Sequence, residues 1–230
     1  MINEWTKKQK MQLNINKTKN IIFNFSKNYQ FTTCLSVNGE NIELVKKTKL
    51  LGTIITDDLK WDENTSEIGK KSYQRMQLLT TTANFTSNIP DLKAILTYIR
   101  SVLEQSAVVW HCSLTAKNRR SLERVQKSAV RVMLKNKYTT YKDGLKKLNI
   151  PTLDERRELL CLRFAKKCLK TKKIQNMFPK KISRHKMKKR RMKTFKENRV
   201  KTKRYAKSTI PYLQKLLNKE YENKKRILKN

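Results

Sequence analysis

Asp57 and Asp58 form the one adjacent aspartate pair in this 230-residue sequence, and paired carboxylates are what a two-metal phosphoryl-transfer site needs. Such a site draws its carboxylates from separate strands, and no Asp precedes Asp57. The pair therefore reads as a polar turn closing a strand. His111 and Cys112 are the next candidates, as base and thiol. Adjacent residues on a helix project about 100° apart and do not face each other, so they make no convincing dyad. No glycine-rich phosphate loop exists among the four glycines. Cys34, Cys112, Cys161 and Cys168, with His111 and His185, lack metal-ligand spacing. The sequence predicts no catalytic residue, no metal ligand and no cofactor.

The chemistry that remains is charge. Arg120, Arg124, Lys127, Arg131 and Lys135 recur every three or four residues in a segment, about 116–135, whose periodicity predicts a helix. Leu122, Val125, Ala129, Val132 and Met133 form an apolar stripe roughly opposite. One face is thus anchored in protein while the other presents cations, with almost no acidic partner four residues away. With Arg119, these residues make a candidate surface for phosphates.

Composition points the same way. The chain carries 55 Lys and Arg against 18 Asp and Glu, a net +37. The excess is uneven: about +5 over 1–110, +12 over 111–170 and +20 over 171–230. Such a charge repels itself in a compact state and calls for a polyanionic partner. The densest run, 186–193, contains Lys188, Lys189, Arg190 and Arg191, adds to the candidate surface, and reads as disordered or loosely helical without a polyanion. No stretch is long and apolar enough to span a membrane, no signal-like apolar run opens the chain, and the scattered cysteines fit a reducing compartment. The expectation is an intracellular protein, nuclear or cytoplasmic, with no membrane insertion.

The positioning elements follow from periodicity. A short basic helix over 2–13 with Trp5 as its anchor precedes a strand through Ile21, Phe23 and Phe25. Asn38-Gly39 between apolar runs signals a hairpin, and Leu50 to Ile55 reads as a further strand. Helices are predicted over 67–79, 92–114, 138–148 and from 152, where Thr152 and Glu155 have capping-box spacing. In that last helix Cys161, Phe164, Ala165 and Cys168 fill a core stripe. A final helix is expected over 208–228, in a tail with too little apolar content to bury a core by itself.

Leu13-Asn14-Ile15-Asn16-Lys17-Thr18-Lys19 before Ile21-Ile22-Phe23 resembles the segment following the catalytic box of non-LTR-retrotransposon reverse transcriptases. Lys49-Leu50-Leu51-Gly52-Thr53-Ile54-Ile55 with Asp58-Leu59-Lys60-Trp61 resembles that family's primer grip, with Leu50 in place of the usual aromatic. Ile99 to Glu104, Trp110 and Leu122 to Lys127 resemble its thumb helices, and Leu153 to Arg157 the segment beyond. The ordered series covers about residues 5–170. It implies a palm remnant with a primer-grip-like hairpin over 1–61, a thumb-like helical bundle over 62–136, a post-thumb helical segment over 137–171 and a basic tail over 172–230. The implied fold class is α+β, mostly α: a short N-terminal helix with a small antiparallel sheet, then helices.

The resemblance further implies that Lys17 or Lys19 matches the palm lysine near the incoming triphosphate. Leu51 and Gly52 would lie in the primer grip, where a missing side chain lets the backbone approach nucleic acid. Read as plain structure, Leu51 is sheet core and Gly52 a strand irregularity. The family's aromatic-X-Asp-Asp turn belongs before the Lys-Thr-Lys segment, so Asp57-Asp58 is not that turn. The expected function is a reverse transcriptase fragment without its catalytic aspartates, binding RNA, RNA–DNA duplex or DNA through the backbone. A separately encoded catalytic polymerase part is a possible partner. The alternatives are a decay product without a role and a basic helical binding protein unrelated to polymerisation.

Overall fold

The computed structural model describes residues 2–26, 35–37, 39–179, 194–197 and 199–227. Cys34, Asn38, His185 and the run 186–193 lie outside them. The fold is α+β and mostly α, and the chain divides into two compact units, Met1–Asn64 and Thr65–Asn230.

The first unit opens with α1 (Ile2–Lys8), shorter than the helix expected over 2–13. Trp5 is not an anchor: it is 55% exposed. A 3-10 turn, Ile15–Lys17, is capped by Asn14, whose Oδ1 accepts the Lys17 N–H. The predicted strand through Ile21, Phe23 and Phe25 is absent. Pairing is confined to β1 (Lys19–Asn20), parallel to β4 (Glu43–Leu44), and both phenylalanines are exposed. Alternation of apolar residues implies a buried face only where another layer covers it. The strands expected on either side of Asn38-Gly39 do pair: β2 (Ser36–Val37) and β3 (Glu40–Asn41) are antiparallel with Val37 opposite Glu40, while Asn38 itself lies outside the described residues.

The stretch from Leu50 to Ile55 is not one strand. It is the bend between β5 (Lys47–Leu50) and β6 (Thr53–Thr56), antiparallel with Leu50 opposite Thr53. Leu51 and Gly52 are the two turn residues, at φ +47° and +83°. Positive φ at both central positions is the turn that matches strand twist in a two-residue hairpin. Glycine adopts it freely, while a leucine there is strained by about 1–2 kcal/mol. The apolar run concealed the turn because leucine does not advertise it.

Helices follow. α2 (Asp62–Phe85) begins with Asp62 and Glu63, which suit the positive end of the helix dipole, and runs longer than the 67–79 expected. α3 (Ile89–Leu103) starts with Pro90 in its first turn. The single helix expected over 92–114 is broken: Ser106 is left-handed (φ +52°), and α4 (Ala107–Trp110) resumes after it. One long-range and one local contact accompany the break. Arg156 donates to both carboxylate oxygens of Glu104, and the Trp110 indole N–H donates to the Gln105 carbonyl at 3.0 Å.

α5 (Ala116–Leu134), α6 (Tyr141–Leu148) and α7 (Leu153–Lys170) complete the central bundle, with α7 packed on α4 and α5. The predicted capping box is present: Thr152 accepts the Glu155 N–H and Glu155 accepts the Thr152 N–H. The tail holds α8 (Lys172–Gln175), α9 (Lys203–Ala206) and α10 (Thr209–Ile227).

Although the tail cannot make a core alone, it completes one. Leu213, Leu216 and Leu217 of α10, with Phe178 and Phe195, bury against Cys161, Ala165 and Cys168 of α7. Residues 65–230 therefore form one compact unit, where the sequence suggested three segments. Asn218 fastens the backbone at Phe195: its Oδ1 accepts the Phe195 N–H at 2.9 Å and its Nδ2 donates to the Phe195 carbonyl at 3.2 Å. Phe164 departs from the predicted stripe and is 42% exposed.

Candidate nucleic-acid interface

Thr115 caps α5 by accepting the Asn118 N–H at 3.2 Å. Leu122, Val125, Ala129 and Met133 are buried as their spacing predicts, joined by Val130 and Leu134, whereas Val132 is only half-buried. Apolar burial alone leaves the rotation of a helix loosely set. Here polar groups fix it. Buried Gln126 accepts from Arg100 Nε at 2.9 Å and donates to the Tyr141 hydroxyl at 2.9 Å and the Pro151 carbonyl at 3.1 Å. Every group in this network is matched, which makes it directional as well as stable.

Glu123, the one carboxylate on α5, is turned into the same seam. It accepts the Tyr141 hydroxyl and, at 3.0 Å, the Leu153 backbone N–H. Burial and the adjacent carboxylate push the Tyr141 phenol well above its ordinary range, so it stays a donor. Arg119 is likewise drawn inward. Its guanidinium donates to Asp154 Oδ1 at 2.6 Å and to the His111 carbonyl at 3.0 Å. It belongs to the seam rather than to the outer stripe with which the sequence grouped it.

Arg120, Arg124, Lys127 and Arg131 are exposed on one face of α5, whereas Lys135, also exposed, follows the end of the helix at φ +46° and does not continue the helical row. Lys117, three residues before Arg120, extends the row; sequence reading passed over it, although the same spacing would have found it. At ~1.5 Å per residue the helical row from Lys117 to Arg131 runs about 21 Å. Among the described residues, no ion pair engages these six cations. Arg131 stands 5.2 Å from the Tyr138 ring centroid, a contact that leaves its charge in place.

Behind the row, Asp154 Oδ1 meets Arg119, lies 3.6 Å from Arg157 Nη2 and 3.9 Å from His111 Nδ1. Arg157 and His111 are fully buried, and the Arg157 guanidinium sits 5.6 Å from the Trp110 ring centroid. Burial first, then the Arg157 and Arg119 charges, hold His111 down at about 4, so it is neutral at physiological pH. Burial pushes the Cys161 thiol up to about 12, which makes it a packing group and a poor nucleophile.

The remaining sequence-predicted residues fall in the first unit or outside the described residues. Lys17 is exposed at the end of its 3-10 turn, and Lys19 is ion-paired with Glu43 across β1 and β4. Leu51, 87% exposed, and Gly52 form the tip of the β5–β6 hairpin, so neither sheet core nor strand irregularity describes them. Asp58 fastens the turn after β6, accepting from Thr56 Oγ1 at 2.7 Å and the Lys60 N–H at 3.0 Å. The Lys60 ammonium foremost, 2.8 Å from Oδ2, and then these two bonds hold its carboxyl far below the usual range. Lys188, Lys189, Arg190 and Arg191 lie outside the described residues.

Among the described residues, no three His, Cys, Asp or Glu side chains gather as a metal site, and no helix is long and apolar enough to cross a membrane. Comparison with family models, with curated proteins and with solved structures finds no match to this chain.

Proposed function

We propose that this chain grips the sugar-phosphate backbone of a nucleic-acid duplex, RNA or RNA–DNA, along the exposed face of α5, as the thumb-bearing part of a reverse transcriptase of the non-LTR-retrotransposon type. The observation that carries the reading is the acid-free row from Lys117 to Arg131, with Lys135 just past the helix end, from which the helix's own carboxylate has been turned away. A row of single cations at helical spacing matches regularly spaced phosphates and contains no aromatic side chain to read a base. Affinity then comes from charge, and sequence is read weakly.

The β5–β6 hairpin supports the polymerase side of the proposal. A left-handed, almost fully exposed leucine beside a glycine breaks both the burial rule and the turn rule at one place. Violations of that kind concentrate where a segment meets a partner, and a primer end is the partner that the family resemblance names. Polymerisation itself is not assigned to these residues, because the carboxylate pair it requires is not among them. A separately supplied catalytic part fits the apolar side chains that the first unit leaves exposed: Trp5, Phe23, Phe25, Leu44 and Leu50.

Filter binding of a blunt RNA–DNA duplex across a salt series tests the reading. Six phosphate contacts predict a slope of about −5 in log affinity against log salt. A folded sample that binds with a flat salt dependence, or does not bind, overturns it and favours a remnant without a nucleic-acid role.

A further inference from the structure

We propose that the second half of α7 is a separate contact for unpaired nucleic-acid strand, in which Phe164 stacks on a base while Arg163, Lys167 and Lys170 hold the flanking phosphates. The proposal stands on its own observations and does not require the duplex reading of α5.

The charge of α7 is divided along its length. Asp154, Glu155 and Glu158 occupy the first two turns, and from there to Glu197 the sequence contains no acidic residue. Cations in a last turn complement the helix dipole, which accounts for Lys167 and Lys170. It does not account for Arg163, a full turn before Lys167. Nor does it explain Phe164, whose neighbours in the expected stripe, Cys161, Ala165 and Cys168, are all buried while it stays 42% exposed.

The three cations are exposed, and no ion pair among the described residues engages them, in contrast to Lys166, which pairs with Glu220 of α10. On the helix surface, Lys167 neighbours both Phe164 and Arg163, at i+3 and i+4, and Lys170 lies one turn further. Lys172 and Lys173, also exposed, continue the positive surface into α8. The result is an aromatic ring lying to one side of a cationic strip about 10 Å long, with Lys167 adjoining the ring, the reach of two or three nucleotides.

This differs in kind from α5, whose row is linear and whose neighbouring ring, Tyr138 beside Arg131, is half-buried. An exposed ring among cations takes a base only if that base is unstacked, which a duplex interior does not offer. A lipid surface is a poorer fit, because the apolar face that an interfacial helix would insert is already buried here against α4, α5 and α10.

The test compares fluorescence anisotropy of a labelled oligouridine dodecamer with that of a blunt duplex of equal length, using the full chain. Phe164→Leu keeps apolar bulk and removes the stacking face. It should weaken the single-strand affinity roughly 5- to 100-fold and leave the duplex affinity within twofold. Phe164→Tyr should restore binding. The exposed pair Arg163→Gln with Lys167→Gln serves if Phe164→Leu lowers the melting temperature, and should reduce the single-strand salt slope by about 1.4. The proposal is overturned if wild-type protein does not bind the oligouridine, if Phe164→Leu leaves its affinity unchanged or lowers both affinities equally, or if polyglutamate displaces it as well as unlabelled oligouridine does.

Discussion

Glu123 Oε1 accepts the Leu153 backbone N–H at 3.0 Å, across thirty residues of sequence. The contact satisfies one of the orphan amides at the start of α7. It also takes away from the surface of α5 the one carboxylate able to neutralise Lys127, four residues on. One hydrogen bond thus joins the packing of the bundle to the sign of its outer face.

Removing charge from that face should affect binding and little else. Arg124→Glu with Arg131→Glu replaces two exposed side chains, so the thermal midpoint should stay within about 2 °C, as surface substitutions generally change stability by no more than ~0.5 kcal/mol. The duplex salt slope should fall in magnitude by about 2. An unchanged slope would assign the phosphate contacts to the basic tail.

The β5–β6 turn should be easy to stabilise. Asn tolerates left-handed backbone better than Leu, so Leu51→Asn should raise stability by about 1 kcal/mol, read as a higher urea midpoint with an unchanged slope. Gly52→Ala should cost about as much. If Leu51 meets nucleic acid or a partner, Leu51→Asn will weaken duplex binding while it stabilises the fold, a pairing of effects that a merely awkward turn would not show.

His111 should make stability depend on pH. Its folded value, about 4, lies below the ordinary 6.5, so the unfolded chain binds the extra proton first. Stability from this group is complete above pH 6.5, declines as pH falls through that value, and levels off below about 4, with a total of up to about 3 kcal/mol. His111→Phe keeps the ring that meets Tyr212 edge-on at 5.8 Å and removes the titrating nitrogens. Urea midpoints from pH 7 to 4 should therefore slope less for the variant than for the wild-type chain.

Asn218 should govern the tail. Asn218→Ala leaves the buried N–H and carbonyl of Phe195 without their partners, at about 2–3 kcal/mol. Hydrogen exchange at the Phe195 amide should accelerate by 30-fold or more, while amides in α5 keep their protection. Equal acceleration in both would mean that the whole second unit opens together.

Periodicity was enough to place α5, α6, α7 and α10 within a few residues, because an amphipathic helix writes its buried face into local spacing. The capping box at Thr152 and the pairing of strands on either side of Asn38-Gly39 were legible for the same reason: each is specified by residues within four positions of one another. The long-range contacts were not. The break after α3 comes with the contact between Glu104 and Arg156. Phe164 was counted as core, since nothing local says that its side of α7 stays uncovered. The hairpin at Leu51 was missed because a leucine can be held at positive φ only by the pairing of the strands beside it.

The positive charge, its gradient toward the C-terminus and the helical spacing of the α5 cations are properties of the sequence itself. Which of those cations remain outside was decided by tertiary structure. Gln126, Glu123 and Arg119 each find partners on other elements, and those bonds set the helix's rotation, turning two charged side chains inward and leaving five cations of α5 in water. Spacing along a chain determines which residues share a face; only the partners that close around it determine which way the face points.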